Sequence, residues 1–233
     1  MNKYIELFMR YLVLECACVT SRTGKNGGIY EYVQCEFAYN SCRLEGCELS
    51  KKNVCNIYEH GIIYADEQEQ IFRAEDIITV DGHFAALKYA ISNCMGYHIG
   101  ISRQDIKEIH RLLYCGCDMQ IDHDFSELTS KVPCNLKEIS DYHAEWLKQG
   151  RDSKVARIIT FIQCLNANIV PFIIHEENKA EYEDNCKETI SLEIFFRKEQ
   201  LRFYDETEAM VITKNLCLQE KGECNNGKIN KKL

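Results

Sequence analysis

Between residues 75 and 94, apolar side chains recur at steps of three and four: Ile77, Val80, Phe84, Leu87, Ile91 and Cys94 share one stripe of a helix that must face a core. Ser102 reads as the N-cap of the next helix, with Asp105 three residues on, and Ile106, Ile109, Leu112 and Leu113 supply its buried face. Val155, Ile158, Ile159, Ile162 and Leu165 form a third stripe, on a helix that ends near residues 166–168. A helix over 4–19, another starting around Asn135 and a last one over 188–208 complete the pattern. The last mixes Ile190, Leu192, Ile194, Phe195, Phe196, Leu201 and Phe203 with many charges, which marks the closing helix of the core, a partner-facing helix being the alternative. With only 2 prolines and 12 glycines in 233 residues, the chain reads as mainly α.

Breaks in the pattern divide it. Residues 20–28 are rich in Ser, Thr, Lys, Asn and Gly and predict a loop. Residues 64–73 are charged and predict a helix start or an exposed connection. Over 119–133 the periodicity fades, and Val132 before Pro133 favours extended backbone, so a short hairpin is expected there. After Met210 the apolar repeat is lost and the last residues are rich in Lys, Asn and Gly. The expected organisation is an N-terminal helix and loop (1–28), a helical domain (29–212) and a disordered tail (213–233).

Composition narrows the function classes. The chain is 45% hydrophobic and 27% charged, and no apolar run approaches the roughly 18 residues of a membrane span. Glu6, Arg10 and Glu15 interrupt the first apolar stretch, unlike the core of a signal peptide, so no membrane association and a cytoplasmic location are expected. A formal charge of -8 with no basic stripe argues against nucleic acid as a partner. The 14 cysteines, without an export signal, read as reduced thiols serving as small apolar residues. His110, Cys115, Cys117 and His123 lie in one short stretch. The single residue between the two cysteines, however, is too short a spacer for a structural zinc site, and no metal site is expected.

Two local patterns carry a resemblance. The first is FAYNSCRLEGCELS at 37–50. It resembles the N-terminal inhibitory helix of class II Fic proteins, whose motif is Ser or Thr, three free positions, Glu, then Gly or Asn; Ser41, Glu45 and Gly46 match it. The second begins with EISDYH at 138–143 and resumes with VARIITF at 155–161, CLN at 164–166 and NIVPFII at 168–174. These segments are similar to the helices bracketing the Fic active site, and GHFAAL at 82–87 and IKEIH at 106–110 resemble further segments of such proteins. The resemblance spans roughly 30–184 and implies a Fic-type helical bundle.

Active Fic proteins transfer AMP from ATP to a protein hydroxyl with a loop of the form H-x-F-x-(D/E)-G-N-G-R-x-x-R. Here the corresponding stretch is KQGRDSKVAR at 148–157. Aligned back from Arg157 on the last motif arginine, Lys154 falls on the first arginine, Ser153 and Arg151 on glycines, Asp152 on the asparagine and Gly150 on the acidic residue. The four preceding positions are missing, with the general-base histidine deleted between Lys148 and Gln149. His143, the nearest histidine, belongs to the preceding helix and is read as a packing residue rather than a replacement base.

The resemblance therefore implies a degenerate relative of the protein adenylyltransferases, with no catalytic residue. Ser41, Glu45 and Gly46 form its inhibitory set, and Gly150, Asp152, Lys154 and Arg157 are a remnant nucleotide site. Glu45 is expected to form a salt bridge with Arg157. Few residues separate Pro133 from the helix at 138–143, so the hairpin flap, which docks target segments in active relatives, is expected to be short or truncated. Alternatives are a working nucleotidyl transferase with a rearranged loop, weakly binding ATP and Mg²⁺, and a protein-interaction module.

Overall fold

The computed structural model describes residues 3–20, 28–65, 71–96, 100–114 and 133–229. They form α1 (Lys3–Thr20), α2 (Ile29–Leu44), α3 (Lys51–His60), α4 (Ala74–Cys94), α5 (Arg103–Leu113), α6 (Leu136–Lys148), α7 (Ser153–Asn166), a 3-10 turn (Glu176–Asn178), α8 (Lys179–Asn185) and α9 (Thr189–Ile229). No strand occurs among the described residues. The expected hairpin falls almost wholly within 115–132, outside them.

Several helix starts are written in the sequence. Ser102 and Asp105 form a reciprocal capping box on α5, each satisfying a donor of the other's backbone. Asn135 accepts from the Glu138 amide at the start of α6, and Ser50 accepts from the Asn53 amide at the start of α3. The helix expected over 75–94 is α4, and residues 71–73 before it are an extended connection.

The helices surround α7. From Lys154 to Asn166 every residue of α7 is buried, its polar positions Arg157, Thr160, Gln163 and Asn166 included. A stripe on one face was expected, but α7 is covered on all sides, by α2, α4, α5 and α6. The main core joins Leu87 and Ile91 of α4, Ile106 and Ile109 of α5, Trp146 of α6, Phe161 of α7 and Phe196 of α9. The α4 stripe divides: its first part, Val80 and Phe84, packs in a smaller cluster with Ala38, Cys42, Leu49 and Val54.

Gly82 permits the close approach of α4 to α5. A Cβ there would lie 2.6 Å from the Leu113 carbonyl oxygen and 2.8 Å from that of Leu112, backbone atoms that cannot step aside.

Three boundaries differ from the expectation. The segment read as an inhibitory helix over 37–50 is the second half of α2, which ends at Leu44; residues 47–50 form no helix and lead into α3. α1 does not stand apart, since its Phe8, Met9, Leu12 and Cys16 belong to the main core. The backbone of α9 continues as helix through 213–229, where a disordered tail was expected. Among the described residues no helix is long and apolar enough to cross a membrane.

Candidate functional site

The site lies where the last turn of α2 meets the first turn of α7. α2 ends because Glu45 leaves helical geometry and Gly46 takes φ +89, a value open to glycine. Lys179, from the start of α8, donates to the Leu44 carbonyl at 2.6 Å and satisfies one of the carbonyls left over at the helix end. This turn holds the Glu45 side chain over α7.

Arg157 comes up from below. Its side chain is 2% exposed, while that of Glu45 is 40% exposed. The guanidinium uses two faces of its fork: Nε donates to Ser41 Oγ at 3.0 Å, and Nη2 donates to the Ser41 carbonyl at 3.0 Å and to Glu45 Oε1 at 2.9 Å. The same carboxylate oxygen accepts from the Ser153 hydroxyl at 2.5 Å. Burial alone would raise the Glu45 pKa, but the Arg157 charge and the hydrogen bonds from Ser153 and Arg157 outweigh it and hold the carboxyl below its ordinary value. The Ser41, Glu45 and Arg157 expected to meet do meet, and the salt bridge joins residues 112 apart in sequence.

The remnant nucleotide residues do not gather at the open cleft. Asp152 is the N-cap of α7: its Oδ1 accepts from the Val155 amide at 3.0 Å, and its Oδ2 accepts from the Tyr114 hydroxyl. The Asp152 carbonyl accepts from the Trp146 indole N–H at 2.8 Å, which holds the turn down on α6. Lys154 is buried, with its ammonium 4.7 Å above the Tyr114 ring. Arg151 lies over the Trp146 ring at 5.2 Å. Gly150 has φ +67 in the turn that ends α6. Of the four, only Arg157 reaches the open cleft beside the salt bridge, a space of about 420 Å³ whose walls include Glu45, Ser153, Lys179, Tyr182 and Glu183.

An anion at the α7 N-terminus would need amide N–H groups turned toward it. The Val155 amide is given to Asp152, and the carboxylate would stand against a phosphate. Gly150 offers no carboxylate where the motif has its acidic residue, and Asp152 is turned to the helix and to Tyr114. The residues present do not fit an ATP·Mg²⁺ complex in the arrangement the motif implies.

His143 is excluded as a base by its surroundings. It is completely buried, with Nδ1 2.7 Å from Thr160 Oγ1 and Nε2 2.7 Å from the Tyr182 hydroxyl. Burial, helped by the Arg157 charge, lowers its pKa to about 3. Among the described residues no three His, Cys, Asp or Glu side chains are grouped to hold a metal. His110 packs against the Tyr114 ring, and Cys115, Cys117 and His123 lie outside the described residues.

Sequence reasoning missed Tyr114, whose hydroxyl and ring fix both Asp152 and Lys154, and it missed Lys179 and Glu176. Glu176 accepts from Arg43 Nε at 2.5 Å and from the Tyr39 hydroxyl, while its amide donates to Asn40, so the 3-10 turn clamps α2. These are common residues in unremarkable local patterns, and no spacing signal points to them.

No protein-family model matches the chain by sequence, and no curated protein does. Solved structures do. A variant of residues 134–508 of Fic-1 from C. elegans superposes with a TM-score of 0.64 at 15% identity, over 85% of this chain and 71% of that one. The unsubstituted form gives 0.63 at 16% identity and the same coverage. A Fic-domain-containing signaling protein from Bacteroides thetaiotaomicron gives 0.59 at 12% identity, over 91% of this chain and 94% of its own.

Proposed function

From a chain that has the Fic-type fold, we propose a catalytically degenerate relative of the protein adenylyltransferases that keeps the scaffold and the inhibitory contact of class II Fic proteins. One observation carries the reading: the α7 N-terminus, where the motif would cradle phosphates, is capped by the chain's own Asp152 carboxylate, itself held by Tyr114. Two further facts support it. The stretch from 144 to 157 contains no histidine, and His143 is sealed in the core with both ring nitrogens engaged. A general base must be within hydrogen-bond reach of the hydroxyl it deprotonates.

In this reading Glu45 and Arg157 act as a fold-holding contact between α2 and α7. A protein partner is its implied ligand rather than a nucleotide, and the cytoplasm its implied location. The exposed α9 positions Ile190, Ile194 and Leu201, each at least 65% exposed, favour a protein-interaction module as the second reading. Their neighbours Leu192, Phe195, Phe196 and Phe203 are buried, so α9 closes the core with one face and offers apolar side chains on another.

Isothermal titration with ATP and Mg²⁺, together with an autoAMPylation assay on the wild type and Glu45→Gly, tests the reading. No heat and no labelling in either protein is the expected outcome. Labelling that emerges in Glu45→Gly would return the protein to the active transferases and refute degeneracy.

A further inference from the structure

One face of α9 carries a pattern that closing the core does not require. Its core-facing positions are Leu192, Phe195, Phe196 and Phe203. On another face Ile190, Ile194, Arg197, Leu201 and Tyr204 recur at alternating steps of four and three, the spacing of a seam between two paired helices. Ile190, Ile194 and Leu201 are 73%, 65% and 67% exposed. The second half of this stripe borders a hollow of about 570 Å³, whose walls include Leu201 and Tyr204 with Ile5 of α1 and, across from them, Ile169 and Val170. Gln200 donates to the Val170 carbonyl at 2.5 Å, so that backbone acceptor is already satisfied and the hollow is open to apolar contact.

We infer that this face of α9 is a self-association surface, pairing antiparallel with α9 of a second copy of the chain. A second copy is then the partner in the protein-interaction reading of α9, on which this rests. A two-fold axis crossing the stripe between Ile194 and Arg197 pairs its positions without a gap, because Ile190 to Ile194 and Arg197 to Leu201 are both steps of four. Ile190 of each copy packs on Leu201 of the other at the edge of the hollow, and Ile194 packs on the methylene stem of the other Arg197. A two-fold contact needs a surface complementary to itself, and an apolar ridge followed by an apolar hollow on one helix supplies both halves.

Charge decides the direction. The Arg197 side chain is 63% exposed and pairs with Glu193 of its own helix at 2.6 Å. In the antiparallel pair each Arg197 also stands level with Glu193 of the second copy, so the two ion pairs interlock with their signs alternating. Lys187, just before α9 and 73% exposed, falls near the exposed Asp205 of the second copy at each end. A parallel pair in register would set Arg197 against Arg197 and Asp205 against Asp205, like charge on like charge.

Sedimentation equilibrium of the full chain under reducing conditions, over roughly 1 µM to 1 mM, measures the assembly. A monomer–dimer equilibrium is expected, and Leu201→Glu should weaken it at least about ten-fold, since it puts an unpaired charge into the seam. Leu201 is exposed, so the variant should keep the wild-type circular dichroism. For the register, p-benzoylphenylalanine at position 201 is irradiated in a mixture of isotope-labelled and unlabelled chains, and should join a labelled peptide to an unlabelled one within residues 187–194. Within one copy, positions 190 and 201 lie about 16 Å apart along the helix, out of the cross-linker's reach. A chain that stays monomeric throughout, or a dimer whose cross-links map away from α9, overturns the inference. The same cross-linker in a cell extract separates this failure from that of the interaction reading: capture of a different protein by a monomeric chain leaves that reading standing and still overturns self-association, whereas no capture removes both.

Discussion

The first turn of α7 has two neighbours that treat it differently. On the α2 side, Ser41 and Glu45 meet Arg157 in three hydrogen bonds, one of them a charge pair. On the α6 side, the turn at 149–152 is short and self-satisfied: Asp152 takes the helix amide, Tyr114 takes the Asp152 carboxylate, and Trp146 takes the carbonyl. The contact between the two helices holds because burying Arg157 requires a partner, since a buried guanidinium left alone is costly. A loop that binds something outside the chain has no such internal requirement. Here the turn caps its own helix.

Histidines on both sides feel the buried Arg157, and they give the largest expected effect. His83 on α4 and His143 on α6 each have a pKa lowered to about 3, first by burial and then by the Arg157 charge, with Lys154 adding to the effect at His83. Neither ring nitrogen of His83 has a hydrogen-bond partner. Both histidines are neutral in the fold but take up protons when unfolded as pH drops below about 6.5, so stability is full above that value and falls on the way down to pH 3. From pH 7 to pH 5 the loss is about 2 kcal/mol per histidine, or about 4 kcal/mol together. Urea denaturation across that range checks it; a His83→Gln, His143→Gln double variant should lose most of the slope, and an unchanged slope would mean the buried histidines are not its source.

Breaking the α2 side comes next. Arg157→Ala removes a buried guanidinium with three hydrogen bonds and is expected to cost about 3 kcal/mol in chemical denaturation. It should also raise the pKa of both histidines, which histidine NMR titration would register.

Breaking the α6 side is expected to cost less. Asp152→Ala removes the α7 N-cap, worth about 1 kcal/mol, and releases Tyr114, so a loss of about 1–2 kcal/mol is expected from the thermal midpoint. If it costs more than Arg157→Ala, the ranking of the two sides is reversed.

Glu45→Gln is the smallest change, about 0.5–1 kcal/mol at pH 7, because Glu45 is 40% exposed and solvent screens its charge. Its folded pKa is depressed, so its contribution is full above about pH 4.5 and vanishes as pH falls through the lower folded value. The stability difference between wild type and variant should therefore close only below pH 4.5, beneath the histidine window.

The helices and their starts were legible wherever short-range rules operate. Ser102 with Asp105 announces its cap by residue type and spacing, Asn135 a helix start, and the stripes of α4 and α5 their buried faces; the Ser50 cap of α3 was hidden in a segment read as one helix over 37–50. The stripe of α7 was legible too, but not that the opposite face, with Arg157, Thr160 and Gln163, would also be buried. Periodicity records which positions are apolar, whereas burial on every side depends on how many helices arrive.

The amino-acid sequence by itself determined a mainly helical chain, the Ser102 cap and the buried stripes of α4 and α5, because each depends on which residue types are present and how they are spaced. Only the tertiary structure decided how the turn at 149–152 is held. Asp152 caps α7 because Tyr114, 38 residues away, arrives to hold its carboxylate, and Arg157 keeps its charge in the core because α2 ends where Ser41 and Glu45 can reach it. Both outcomes turn on side chains brought together across the fold, and the energy of a buried charge or an open amide is settled by its neighbours in space.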